Sequence, residues 1–306
     1  MAMDRLILVL FTGHVGSSWV TSMLASHSAI SQLGFEPVDE LTQVQVNAAP
    51  LLERIVRSGG LQGLDRQTCE IFAKKTESAD DTPADAWGFP SPPSARFAVF
   101  KARLNLDLQR DLFLDWLPEQ KPLIVLLRRK NKIKNAVSQF KRTQLNISHL
   151  TRQEAVEAKR RPVRVDPGYI LRQARQFTLR ELRSLEYYRL ATQGWGLDGV
   201  EACYEDLLED GGFARLREAV CSALGLGAEP LQSDYRKMTR NALMEAVENY
   251  HELAGVIEPT LFSRSLTDDA FDVVDDITRR AVSFEPYERD REIQEIRRLA
   301  TPDKEV

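Results

Sequence analysis

The chain has 306 residues, 43% of them hydrophobic, and a formal net charge of −4 from 41 Lys plus Arg against 45 Asp plus Glu. That length can bury a sizeable core in one large α/β domain or two smaller ones. The charge balance excludes a generally basic nucleic-acid binder.

The first apolar run, Arg5–Phe11, ends in a Gly-bearing turn and reads as a strand buried on both faces of a parallel sheet. Its apolar stretch is far shorter than the roughly 20 residues of a membrane span, and it lacks a signal-peptide layout. A helix is predicted over Ser17–Ser26, with Trp19, Met23 and Leu24 inward. Glu77–Ala95 is Pro-rich, acidic and without period, and reads as a loop. Phe97–Lys101 and Leu123–Leu127 read as further strands, the second delivering Arg128 at its end. Leu145–Tyr169 is a second loop, carrying Lys159, Arg160, Arg161 and Arg164. An amphipathic helix is predicted from about Tyr169 to Thr192, with Leu171, Ala174, Phe177, Leu182, Leu185 and Tyr188 on one stripe. Val200–Tyr204 reads as a fourth strand. Phe213–Leu224 and Asn241–Leu253 read as helices, and a charged, helical extension follows over 264–306.

Strands alternating with helices predict a central parallel sheet flanked by helices on both faces. With no repeat and no linker, a single domain over 1–306 is expected. Ligands in such folds bind at the carboxyl ends of the strands. Cys69, Cys203 and Cys221 form neither a C-x-x-C pair nor an even-numbered framework. They read as plain thiols in a reducing cytoplasm.

Two segments fall at that sheet edge. Thr12-Gly13-His14-Val15-Gly16-Ser17-Ser18-Trp19 links strand to helix. A helix N-terminus offers unpaired N–H groups and a positive dipole end to an anion. Gly13 and Gly16 allow close backbone approach, and Ser17 and Ser18 add hydroxyls. An ordinary strand-to-helix turn is the alternative. The segment lacks the Lys and the spacing of a Walker A loop, which counts against ATP or GTP. The second segment, Leu126–Phe140, carries Arg128 and Arg129 at a strand end and Ser138 on the following helix. Such a set can clamp a phosphate, or it is simply the solvated start of a basic helix.

Both segments resemble those of sulfotransferases that use 3'-phosphoadenosine 5'-phosphosulfate. The first is similar to the 5'-phosphosulfate loop, K/R-S-G-S/T-T/S-W/L, and the second to the 3'-phosphate motif, an Arg followed some eight to ten residues later by a Ser. Tyr204-Glu205-Asp206-Leu207-Leu208 resembles the family's Y-E-D-L segment, and Glu248–Leu253 resembles an N-Y-x-E-L helix of bacterial members. The phrasing of Leu126–Phe140 is nearest to bacterial, carbohydrate-type members such as trehalose 2-sulfotransferase. The resemblance spans about residues 5 to 255. It implies a P-loop-like fold and transfer of a sulfuryl group to a hydroxyl or amine of a small-molecule or glycan acceptor. It also implies donor contacts from Gly13, His14, Val15, Gly16, Ser17, Ser18, Trp19, Arg128 or Arg129, Ser138 and Tyr204. Apart from the resemblance, Lys237 and Arg240 are candidates to close over the same nucleotide, the alternative being a solvated helix.

Two departures bear on mechanism. His14 stands where relatives carry Lys or Arg. It either does that cation's work when protonated or merely caps the loop. Arg103, in Lys101-Ala102-Arg103-Leu104, stands where many relatives place a His base, and Arg cannot accept a proton. Bacterial relatives place a Glu near a Pro shortly after the first helix, so the resemblance implies Glu36, in Gly34-Phe35-Glu36-Pro37, as the base, the alternative being a solvated loop Glu, with Asp39 and Glu40 as fallbacks. No metal-ligand motif appears, so no metal is expected. The rival readings are a P-loop nucleotide or small-molecule kinase and a non-catalytic nucleotide-binding protein. The acceptor and the oligomeric state, a homodimer included, stay open.

Overall fold

The computed structural model describes residues 4–13, 15–32, 95–103, 116–145, 161–227, 229 and 242–280. In chain order these are β1 (Arg5–Phe11), α1 (Ser17–Ala25), β2 (Ile30–Gln32), β3 (Phe97–Arg103), α2 (Leu117–Gln120), β4 (Leu123–Arg128) and α3 (Lys132–Leu145). Then come α4 (Pro167–Arg189), a π-helical turn (Leu190–Gly194), β5 (Gly199–Cys203), α5 (Tyr204–Leu207) and α6 (Gly212–Leu224). The described chain ends with α7 (Leu243–Ala246), α8 (Tyr250–Ile257), a 3-10 turn (Ser263–Leu266) and α9 (Val273–Arg280).

The strands form one parallel sheet in the order β2-β3-β1-β4-β5. The central strands are apolar through their middles because both faces are covered, and their charged residues, Arg5, Lys101, Arg103 and Arg128, fall at or near the strand ends. Leu6, Leu8, Leu10, Phe100 and Leu126 pack on one face against α3, α4 and α8. Ile7, Val9, Phe11, Val99 and Val125 pack on the other against α1 and α6. Each such side chain contributes about 1.5–3 kcal/mol when fully buried. The expected α/β sheet with helices on both faces is therefore present.

Several element boundaries differ from the sequence reading. On α1 the buried residues are Ser17, Val20, Thr21 and Leu24, while Trp19 and Met23 are half-buried. The long amphipathic helix starts earlier, at Pro167, because Asp166 caps it: its Oδ1 accepts the Gly168 N–H at 2.9 Å. Its buried stripe includes Glu181 and Ser184. The helix expected over Asn241–Leu253 is broken into α7 and α8. Val247 forms a bridge with Val163, and the Asn249 side chain bonds both backbone groups of Val165 at 2.9 Å. The loop Glu77–Ala95 lies outside the described residues but for Ala95, as do most of the loop Leu145–Tyr169 and all of 281–306 beyond α9.

The topology fixes where a ligand would sit. From β1 the chain runs outward through α1 to β2 and returns to β3. It then passes over β1 to β4 and runs the other way to β5. Adjacent strands β1 and β4 thus send their exits in opposite directions, which opens a crevice at their carboxyl ends.

Candidate functional site

Three segments converge on that crevice: the loop after β1, the turn after β4 and the start of α5 after β5. The register sets Phe11 level with Leu127 and Arg103, and Arg128 level with Cys203.

Gly13 has φ 104 and Gly16 has φ 79, both in the region that favours glycine. Gly16 is also tight, because a Cβ there would lie 2.8 Å from two ring carbons of Tyr204. Gly16 is the N-cap of α1 and has no side chain to cap it, so the first N–H groups of the helix lack that partner at the crevice end of β1. Val15 is fully buried in the core beneath α1, so it anchors the loop and only its backbone can meet a ligand. Ser17 is buried at the first turn. Thr12 Oγ1 is buried without a hydrogen-bond partner among the described residues. Trp19 packs edge-on against Phe213 and Tyr204, with centroids 4.2 and 6.3 Å away. His14, Glu36, Asp39, Glu40, Lys237 and Arg240 lie outside the described residues.

Strand alternation gives Arg128 and Arg129 different surroundings. Arg128 follows Ile124 and Leu126 onto the α4 face. There it meets four carboxylates: Glu181 at 3.0 Å, Glu201 at 2.6 Å, Asp272 at 2.8 Å and Asp275 at 2.9 Å. The guanidinium is buried; burial alone would lower its pKa, but Glu181, Asp272 and Glu201 hold it well above the usual Arg value. Lys132 joins the same cluster, 2.9 Å from Glu181. Arg129 turns to the other side, with its Cζ 5.1 Å from the Tyr204 ring centroid. Of the two arginines left open by the motif spacing, Arg129 is the one against the loop, through Tyr204 and Gly16. Ser138 sits partly exposed on α3, and no hydrogen bond among the described residues ties it to Arg129 or to the loop.

Lys101 is the cation the sequence reading passed over. It sits near the carboxyl end of β3, is 2% exposed, and donates from Nζ to Ser18 Oγ at 2.7 Å. Its ammonium lies 5.5 Å from the Phe11 ring centroid, and Arg103 flanks the same ring at 5.8 Å. A Lys directly after the apolar run Phe97–Phe100 was the available signal. On α4, Phe177 would lie 3.6 Å from a Cβ on Gly13. One turn on, the Arg180 pKa is pushed down, by burial first and then by the like charges of Arg103 and Arg183. Positive charge therefore gathers on this side of the loop. Burial also pushes the Tyr204 hydroxyl up, against an opposing pull from Arg129.

The arrangement can hold an anionic ligand by backbone N–H groups, a buried ammonium and guanidinium groups. Among the described residues, no group of three or more His, Cys, Asp or Glu could hold a metal ion. No described helix is long and apolar enough to cross a membrane.

No protein-family model and no curated protein matches the chain. Among solved structures, it is similar to a sulfotransferase from Alicyclobacillus acidocaldarius, at 12% identity and TM-score 0.39, over 87% of this chain and 96% of that one. It is also similar to the sulfotransferase domain from the curacin biosynthetic pathway, at 17% identity and TM-score 0.35, over 99% of each chain. A third match is the sulfotransferase domain from the Synechococcus PCC 7002 olefin synthase, at 12% identity and TM-score 0.35, over 98% of this chain and 96% of that one. Overlap of this degree carries no residue's role from one chain to another.

Proposed function

We propose that the chain is a sulfotransferase that moves a sulfuryl group from 3'-phosphoadenosine 5'-phosphosulfate to a hydroxyl or amine of a small-molecule or glycan acceptor. One observation carries the reading. The loop resembling a phosphosulfate motif, the Arg-bearing turn resembling a 3'-phosphate motif and the Tyr204 segment meet at one crevice, with Tyr204 against both Gly16 and Arg129.

The residues at the crevice suit a bisphosphorylated nucleotide. The N–H groups at the start of α1, with Ser17 and Ser18, would hold the 5'-phosphate. Lys101 would supply the positive charge that a Lys-free loop lacks, and His14, where relatives carry Lys or Arg, is proposed to add to it when protonated. Arg129 and Ser138 would take the 3'-phosphate, and Tyr204 the adenine side. The donor supplies an activated sulfuryl group. Glu36 would accept the acceptor's proton as the acceptor oxygen or nitrogen bonds to sulfur and the bond from sulfur to the 5'-phosphate oxygen breaks. Lys101 and the loop N–H groups would then stabilise charge gathering on that oxygen. One such preorganised donor is worth about 10²–10³ in rate. Lys237 and Arg240 are proposed to close over the nucleotide. The fit to bacterial carbohydrate-type sequences favours a sugar hydroxyl as acceptor.

The test is release of 3'-phosphoadenosine 5'-phosphate from the donor across a panel of sugar, phenol and amine acceptors. Acceptor-dependent release is expected, falling ~10²–10³-fold in Lys101→Ala. Release no faster than without protein, across the whole panel, would overturn the enzymatic reading.

A further inference from the structure

Three consecutive residues after β5 hold three consecutive residues after β4. Tyr204 lies under the Arg129 guanidinium, 5.1 Å from centroid to Cζ. Glu205 accepts the Lys130 N–H through Oε2 at 2.8 Å and the Asn131 N–H through Oε1 at 3.2 Å. The same Oε1 is 3.7 Å from Arg129 Nε. Asp206 takes the Lys130 ammonium. The pairing of Arg128 with Cys203 sets the two triplets side by side.

Each member of the triplet acts on a different part of the turn. The Lys130 and Asn131 N–H groups precede α3, where helix geometry offers them no partner and a negative charge is favoured. The Glu205 carboxylate supplies both the acceptors and the charge, from a side chain only 16% exposed. Bonds to a charged acceptor are roughly twice as strong as neutral ones. Tyr204 and Glu205 thus restrain the Arg129 guanidinium from its face and from its Nε side, while the backbone beneath it is pinned at the next two residues. An arginine side chain loses rotamer freedom when it is held, and this packing removes part of that cost before any ligand arrives.

We infer that Glu205 is a positioning residue that fixes the turn 129–131 and so orients Arg129 toward a 3'-phosphate. It thereby sets the preference for an adenosine bisphosphate over a 5'-monophosphate. This rests on the donor reading proposed above.

The experiment is calorimetric titration with 3'-phosphoadenosine 5'-phosphate and, separately, adenosine 5'-phosphate. The proteins are the wild type, Glu205→Ala, Glu205→Gln, Arg129→Ala and the double variant Glu205→Ala with Arg129→Ala. Glu205→Ala is expected to weaken the bisphosphate ~10- to 100-fold and to leave the monophosphate within about two-fold. Glu205→Gln keeps an acceptor oxygen and the side-chain shape, so a smaller selective loss is expected and the test survives if the Ala variant misfolds. The double variant should bind no worse than Arg129→Ala, because both act on one contact. Equal losses for the two nucleotides, or losses that multiply in the double variant, would overturn the inference while leaving the donor reading intact. A wild type that does not prefer the bisphosphate overturns the donor reading and this inference with it.

Discussion

Replacing Arg128 by Met separates the two arginines by experiment. Arg128 pairs with four carboxylates, but they do not lose equally. The Glu201 and Asp275 side chains are 39% and 44% exposed and can return to water, where an ion pair is worth little. Glu181 keeps Lys132. The Asp272 side chain is only 4% exposed and loses the partner it touches. Removing one partner of a buried pair costs about 3–5 kcal/mol, and with Glu181 still served the lower end applies, about 3 kcal/mol. For a chain of this size that corresponds to a fall in melting temperature of roughly 5–10 °C. Burial already pushes the Asp272 carboxyl up, while Lys132 and Arg128 pull it back down. Without Arg128 it rises further above its unfolded value. A group raised in the folded state contributes stability that is present below its unfolded pKa and lost as pH rises through the folded one. The deficit of the variant should therefore be largest near pH 7 and shrink toward pH 4. Thermal unfolding across that range measures it, with bisphosphate affinity measured alongside and expected to change by no more than a few-fold. A variant with unchanged melting temperature that no longer binds the bisphosphate would refute this reasoning and make Arg128 the phosphate ligand.

Gly16→Ala combines a strained φ of 79 with a Cβ 2.8 Å from the Tyr204 ring, whereas Gly225→Ala meets φ 63 in open space. Both should cost about 1–2 kcal/mol of stability from the left-handed backbone, but only Gly16→Ala should also weaken bisphosphate binding; equal binding in the two would count against the close Tyr204 contact. Burial pushes the Cys203 thiol up to about 12, against a lowering by Arg128. In a Cys69→Ser, Cys221→Ser background, the half-buried Cys203 should react with thiol reagents at pH 8 much more slowly in the folded than in the unfolded protein, because so little of it is thiolate; equal rates would contradict this.

The sheet was legible because its strands are apolar on both faces, so RLILVLF and LIVLLR stand out without any partner in view. The short edge strand Ile30–Gln32 was not, since three residues carry no period. The break between α7 and α8 was hidden for a different reason: Val163 and Val165, which cause it, lie some 80 residues away. At the site, the loop and the Arg pair were visible as local patterns. The division of labour between Arg128 and Arg129 was not, because it depends on which face of β4 each one meets and on Glu181, Asp272 and Asp275 arriving from distant segments. The charged C-terminal segment read only as a helical extension. In the fold its aspartates reach the sheet edge, where Asp269 also accepts from Asn131 and from Lys134 at 2.5 Å.

The central claim is that the crevice is built for an adenosine 3',5'-bisphosphate. Calorimetric titration of the purified chain with 3'-phosphoadenosine 5'-phosphate, against ATP plus magnesium, tests it most directly. The account predicts micromolar binding of the bisphosphate that is lost in Arg129→Ala, and much weaker binding of ATP. Tighter binding of ATP, or no binding of the bisphosphate, would contradict it and return a phosphoryl-transfer reading to first place.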